Sequence, residues 1–140
     1  MTGNNENEKR KIKVAWYENN MQFMESILYY LDKEKVFEVK VFGDPASAKE
    51  EIKEYQPHLV IFDFRMPNIN GVEMYKQLKG KLDFVPVFFS IWARDDSTRS
   101  DIINAGIESE AIFDKNIEPD SFPGALRKYY EHHKRKKATK

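Results

Sequence analysis

The run Leu59–Phe62 (LVIF) restricts the fold most, because four consecutive apolar residues are typical of a strand that is covered on both faces. Other short apolar or alternating segments recur along the chain, and each is followed by a segment with helical spacing. This alternation favours an α/β fold, a doubly wound parallel sheet with helices on both faces. The predicted strands cover residues 12–17, 37–42, 59–62, 85–91 and 111–113.

The predicted helices are recognised by apolar residues three or four positions apart. Asp44 is expected to cap the second helix, with Pro45 at its first position, and Pro57 ends it. The third helix is expected to continue to Leu82, and Phe122 of the fifth is expected to face the core. The helices are predicted at residues 21–31, 44–56, 72–82, 95–105 and 121–133.

Composition indicates one globular domain of 140 residues with 41% apolar and 33% charged residues. We expect a flexible polar leader at 1–10, a folded domain at 11–131 and a basic tail at 132–140. The last thirteen residues hold six Lys or Arg and one Glu, whereas the remainder is acidic. The absence of cysteine excludes disulfides and thiolate metal sites. The longest apolar stretch is shorter than the roughly 20 residues of a membrane span, so a cytoplasmic protein is expected.

Asp63 stands directly after the strand 59–62 and is followed by Met66-Pro67 and Gly71. Ligand sites of doubly wound sheets form at the carboxyl ends of the strands, so the fold would deliver this carboxylate to such an edge. Asp can also cap a turn without further function. The segment DFRMPNING resembles the phosphoacceptor turn of response regulator receiver domains, and the resemblance extends over about residues 11–131.

The resemblance implies a flavodoxin-like sheet of strand order 2-1-3-4-5. It implies that Asp63 accepts a phosphoryl group from a sensor histidine kinase or a phosphotransfer protein, and that a downstream effector reads the resulting surface change. The domain would be a signalling module rather than an enzyme, with at most self-catalysed phosphoryl transfer and dephosphorylation. A homodimer through the helix 4, strand 5 and helix 5 face is a further expectation.

The resemblance also implies a Mg²⁺ site. Its ligands would be Glu18, Asn19, Asp63 and the backbone carbonyl of Arg65. Because Asn19 is neutral where the family has a second acid, we expect weak Mg²⁺ binding. Asn19 and Asn20 could equally cap the first helix. The Arg65 side chain could modulate the site by pairing with Asp63 or with an incoming phosphate.

Three further positions correspond to functional positions of the family that the chain resembles. Lys115, in FDKN, fits the lysine that contacts phosphoryl oxygens if the preceding loop IESE is longer than usual; otherwise it is a solvated charge. The switch hydroxyl falls on Ile91, fifteen residues before Gly106, and the aromatic of strand five falls on Ile112. Ser90 is expected to point to the opposite face. The coupled switch pair is therefore expected to be absent.

Two functions remain open from the sequence. One is a phosphorylatable receiver, and the other is an atypical receiver that acts as a phosphorylation-independent interaction module. Nucleic-acid binding by the basic tail is disfavoured, because no recognition helix or aromatic strand face accompanies the tail. A flavin enzyme is disfavoured as well, because the segment after the first strand, YENNMQF, has no glycine-rich phosphate loop.

Overall fold

A parallel sheet forms the centre of the computed structural model, which describes residues 11–18, 21–66 and 69–138. Its strands are β1 (Ile12–Tyr17), β2 (Phe37–Phe42), β3 (Leu59–Phe62), β4 (Val85–Ser90) and β5 (Ile112–Asp114). Their order in the sheet, β2-β1-β3-β4-β5, confirms the predicted fold. A two-residue antiparallel ribbon, in which Arg65–Met66 pairs with Ile69–Asn70, was not predicted.

The boundaries of two strands differ from the prediction. The fourth strand ends at Ser90 rather than Ile91, because the Ser90 hydroxyl accepts the Trp92 N–H at 3.0 Å and closes a turn there. The fifth strand begins at Ile112, because Ala111 belongs to the short 3-10 turn that precedes it, and it ends at Asp114 rather than Phe113.

The helices within the described ranges follow the predicted order. The third was predicted to reach Leu82, which is wrong: Lys79 leaves the helical region at φ −57°, ψ 130°, and Gly80 follows at φ +80°. The second is preceded by a 3-10 turn that Asp44 caps, its side chain accepting the Ala46 N–H at 3.0 Å. The helices are α1 (Met21–Lys33), α2 (Ala48–Tyr55), α3 (Gly71–Leu78), α4 (Asp96–Asn104) and α5 (Phe122–Ala138).

Aromatic packing covers both faces of the sheet. On one face Phe89 stacks on Phe122 of α5 at 4.5 Å between ring centroids, and α1 lies beside α5. On the other face Phe62 and Phe88 contact Tyr75 of α3 edge-on. All of β3 is buried, as its continuous apolar run requires. Within the described part of the chain, no helix combines the length and the apolar character needed to cross a membrane.

Glu108, in the loop between α4 and β5, anchors the C-terminal helix. Its carboxylate accepts hydrogen bonds from Lys136 Nζ at 2.7 Å and Tyr129 OH at 3.1 Å, and it lies 3.3 Å from His133 Nδ1. Lys136 in particular lowers the pKa of Glu108 from 4.5 to about 2. The helix therefore continues past the predicted end at 133, and the described part of the basic tail is helical.

Replacing Glu108 by Gln should lower the melting temperature at pH 7 and remove most of that difference near pH 2. The folded-state pKa of Glu108 lies below its unfolded value. The charged form therefore adds stability above pH 4.5, and this stability is lost as the pH falls towards 2. Thermal unfolding of both proteins from pH 2 to 7 would measure this. Glu110→Gln, in the same loop, is the control, and a constant difference between wild type and Glu108→Gln at every pH would contradict the account.

Candidate functional site

Three charged side chains meet at the carboxyl edge of the sheet. Lys115 Nζ lies 2.8 Å from Glu18 Oε1 and 3.1 Å from Asp63 Oδ2. The exposed fractions of the side chains are 7% for Lys115, 0% for Glu18 and 11% for Asp63. The structure thus brings together one candidate residue from the end of each of the strands β1, β3 and β5.

Backbone hydrogen bonds fix the positions of these three residues. Each follows the last residue of its strand and donates its N–H to a carbonyl of the neighbouring strand. The acceptors are Phe42 for Glu18 (3.1 Å), Tyr17 for Asp63 (3.3 Å) and Ser90 for Lys115 (3.0 Å). The hydrogen-bond ladder of the sheet therefore continues one residue past each strand and holds the charged groups on rigid backbone.

Gly71 explains the spacing behind Asp63. A Cβ atom at Gly71 would overlap the carbonyl oxygen of Asp63 and lie 2.9 Å from Cε2 of Phe88. The Gly71 N–H donates to the Phe64 carbonyl at 2.8 Å. The start of α3 therefore lies against the backbone of Asp63, an approach that requires a residue without a side chain.

A reciprocal capping box fixes the start of α3. Asn70 Oδ1 accepts the Glu73 N–H at 2.9 Å, while Glu73 Oε1 accepts the Asn70 N–H at 3.0 Å. Met66 pairs with Ile69 across the short ribbon. Pro67, the remaining member of the predicted turn, lies outside the described residues.

The charges of the site do not balance. Among the described residues, these two carboxylates share one ammonium group, so the three side chains together carry a formal excess of one negative charge in a place largely closed to water. Hard oxygen ligands of this kind suit Mg²⁺. Among the described residues no group of three or more acidic, histidine or cysteine side chains could hold a metal. Asn19, the remaining predicted side-chain ligand, lies outside the described residues.

Arg65 does not form the ion pair with Asp63 that the sequence left open. Its guanidinium carbon lies 4.7 Å from the centroid of the Trp92 ring. Arg65 also lies near Asp95, whose pKa is held below its ordinary value. Hydrogen bonds from the backbone N–H and the hydroxyl of Thr98 contribute most to this lowering, and the charge of Arg65 adds to it. Arg65 therefore faces the turn between β4 and α4. Sequence reasoning did not identify Trp92, although an aromatic residue directly after Ile91 is a visible signal.

The two predicted switch positions occupy different environments. Ile91, the first residue after β4, is 53% exposed, whereas Ile112 in β5 is buried. Ser90 is fully buried, and its hydroxyl accepts the N–H of Trp92. The one hydroxyl beside the predicted switch position thus stabilises the turn that carries Trp92.

A model of the response regulator receiver domain matches residues 14–127 of the chain. The chain belongs to this family. Among curated relatives, the transcriptional regulatory protein DegU of Brevibacillus brevis is 26% identical over 120 residues, which is 85% of this chain and 50% of that protein. The response regulator protein VraR of Staphylococcus aureus strain Mu3 is 28% identical over 120 residues, 84% of this chain and 56% of VraR.

Solved receiver domains share the fold of this one. The receiver domain of the putative response regulator NarL from Mycobacterium tuberculosis gives a TM-score of 0.74 at 18% identity, covering 87% of this chain and 98% of that chain. The BeF3-activated receiver domain of RstA from Klebsiella pneumoniae gives 0.74 at 23% identity, covering 84% and 97%. This receiver domain spans about half the length of the curated relatives it matches. The comparisons favour a receiver of a two-component response regulator over the phosphorylation-independent module.

Replacing Gly71 by Ala should destabilise the receiver domain by about 1–3 kcal/mol, because the added methyl group would overlap the backbone of Asp63. Urea unfolding followed by circular dichroism would measure the change. Gly43→Ala is a matched control, since a Cβ at Gly43 meets nothing within 4 Å. Equal unfolding midpoints for the two variants would show that the approach of α3 to Asp63 is not a constraint.

Proposed function

We propose that Asp63 accepts a phosphoryl group from a phosphohistidine of a sensor kinase or a phosphotransfer protein. The observation that carries the proposal is the Lys115 ammonium group, which contacts both Asp63 and Glu18 at the carboxyl edge of the sheet. Membership of the receiver family supports this function. A nearly buried carboxylate beside a fixed cation also suits aspartyl phosphorylation, because the carboxylate is the nucleophile and the cation stabilises the developing charge.

The reaction needs few protein groups. A carboxylate oxygen of Asp63 attacks phosphorus while the bond between phosphorus and the donor imidazole nitrogen breaks, and the bonding electrons leave with that nitrogen. Negative charge spreads over the equatorial phosphoryl oxygens during this step. Lys115 Nζ, 3.1 Å from Asp63 Oδ2, would contact one of these oxygens and stabilise the developing charge.

Glu18, Asp63 and the Arg65 carbonyl would hold a Mg²⁺ ion, with Asn19 as a neutral fourth ligand. When bound, the ion neutralises charge on the phosphoryl oxygens. The carboxylate oxygens of Glu18 and Asp63 are suitable ligands for this ion. Both already contact one ammonium group, so positive charge is stabilised between them. Because Lys115 already neutralises part of the site and Asn19 adds no charge, the proposed affinity is weak.

The proposed partners are a histidine kinase or phosphotransfer protein and a downstream effector in the cytoplasm. One matched relative is named a transcriptional regulatory protein, and one structural neighbour is titled a DNA-binding response regulator of the LuxR family. Transcriptional control by a longer protein that contains this receiver is therefore the proposed output. From the resemblance to the receiver family we also propose a homodimer through the face formed by α4, β5 and α5.

Acetyl phosphate with MgCl₂ should add one phosphoryl group to the wild-type protein and none to Asp63→Asn, because the amide is not a nucleophile for phosphorus. Intact-mass spectrometry would measure the addition. Asp96→Asn, an exposed aspartate in the first turn of α4, is the control and should be modified like wild type. Equal labelling of Asp63→Asn would assign the acceptor to another residue.

Mg²⁺ should raise the melting temperature of the wild-type protein, and more strongly that of Lys115→Met. A ligand that binds the folded state alone stabilises it, by about 0.4 kcal/mol when its concentration equals Kd. Removing Lys115 leaves two buried carboxylates without this counter-charge, so the ion should bind more tightly. Thermal melts with 0 and about 10 mM MgCl₂ would test this, at a concentration chosen for a weak hydrated-ion site.

Lys76→Met, an exposed lysine of α3, is the control and should behave like wild type. A Mg²⁺ effect that persists undiminished in Asp63→Asn would place the ion elsewhere.

A further inference from the structure

The Arg65 guanidinium is a cation at the carboxyl edge that the proposed reaction does not use. It lies against the face of the Trp92 ring, with 4.7 Å between the guanidinium carbon and the ring centroid. Arg65 follows β3 and Trp92 follows β4, and these strands are paired neighbours in the sheet. The contact therefore joins the turn that carries Asp63 to the turn that leads into α4.

Trp92 is the fixed partner in this contact. The backbone N–H of Trp92 donates to Ser90 Oγ at 3.0 Å, and the backbone carbonyl of Trp92 accepts the Asp95 N–H at 3.0 Å. The next residue, Ala93, accepts a hydrogen bond through its carbonyl from Arg99 Nη1 at 3.0 Å. Two further hydrogen bonds from Thr98 to the Asp95 carboxylate fix the start of α4. Hydrogen bonds thus fix the backbone of Trp92, while the residue is 39% exposed.

Arg65 is the partner that can move. Its side chain is exposed and extends from a ribbon only two residues long. Two residues of chain span at most about 7 Å, so the Cα atoms of Arg65 and Asp63 lie within that distance. An arginine side chain covers a similar length, which brings the acceptor site within its reach.

The two alternative partners differ in strength. A cation on an exposed aromatic ring is weakly held, and the attraction of Arg65 to the exposed Asp95 carboxylate is screened by water. A guanidinium that donates two parallel hydrogen bonds to a phosphoryl group is held more strongly and in a defined geometry. A phosphoryl group on Asp63 would therefore draw Arg65 away from Trp92.

We propose that Trp92 is a positioning residue that holds the Arg65 guanidinium until Asp63 is phosphorylated, and that Arg65 then moves from the indole face to the phosphoryl oxygens. This inference rests on the function proposed above. Arg65 stays protonated throughout, and its movement involves no bond making beyond hydrogen bonds. The exchange would give this chain a phosphorylation-dependent movement at β4–α4, where Ile91 replaces the hydroxyl residue of the family pattern.

The test combines intact mass with tryptophan fluorescence, with acetyl phosphate and MgCl₂ as the probe. Trp92→Phe retains only Trp16, so its emission gives the contribution of Trp16 to the wild-type signal. In wild type the emission of Trp92 should change as the phosphoryl group is gained, and it should approach that of unphosphorylated Arg65→Met. Arg65→Met should gain phosphate without a further change in emission, and Arg65→Lys, which keeps the charge, should restore part of the change.

Arg94→Met is the matched control, because Arg94 belongs to the same turn and pairs with Asp114 at 3.1 Å instead. It should respond like wild type. Beryllofluoride, a phosphoryl analogue, gives a second measurement: Arg65→Met should bind it about tenfold more weakly, as expected for the loss of a charge-assisted hydrogen bond, while Arg94→Met should not.

The outcomes separate the two proposals. If wild type gains phosphate but its emission stays constant, or if Arg94→Met loses the response as Arg65→Met does, the exchange is overturned and phosphorylation of Asp63 stands. Equal beryllofluoride affinity in wild type and Arg65→Met also overturns it. If wild type neither gains phosphate nor binds beryllofluoride, the proposed function fails and the exchange fails with it.

Discussion

The ammonium group of Lys115, shared between two buried carboxylates, is the interaction on which the site depends. Burying a carboxylate is costly unless an opposite charge lies close by, and here one nitrogen atom serves both Glu18 and Asp63. The three groups come from the ends of three strands, so their approach requires the whole sheet to be in register. The site is therefore a property of the folded sheet, and no local segment could form it alone.

The same edge of the sheet is constrained from the side of α3. Gly71 lies so close to the Asp63 carbonyl that a side chain there would overlap it, and the capping box of Asn70 and Glu73 fixes the helix start next to it. Asp63 is thus held by the β1 carbonyl of Tyr17 on one side and by α3 on the other. This rigidity is useful for an in-line attack, because the nucleophile must keep a defined direction towards phosphorus.

The sequence predicted those features that local patterns encode. The alternation of apolar strands and amphipathic helices indicated the parallel sheet, the resemblance of the segment behind β3 to the receiver family implied its strand order, and the aspartate directly after β3 gave the position of Asp63 at the sheet edge. Leu82 was assigned to α3 because its spacing fits a helix, whereas the helix ends at Leu78, Lys79 leaves the helical region and Gly80 follows with a positive φ. The Glu108 cluster and the Arg65–Trp92 contact were not predicted, because residues far apart in sequence carry no shared periodicity. Distances within the Lys115 cluster were likewise beyond the sequence, since they depend on side-chain conformation.

The two cations near Asp63 differ in what their surroundings allow. Lys115 is nearly buried between two carboxylates and anchored through its N–H to Ser90, so its charge is available at once and at a fixed place. Arg65 is exposed on a short ribbon and interacts with the Trp92 ring and, electrostatically, with the exposed Asp95 carboxylate, so it can change partner at little cost. A buried cation suits the stabilisation of charge during the reaction, because no reorganisation is needed. An exposed cation with two alternative partners suits the response that follows, because the phosphoryl group changes which partner is favoured. At the carboxyl edge, the cation that assists phosphoryl transfer and the cation that responds to it therefore differ in burial, although both lie close to Asp63.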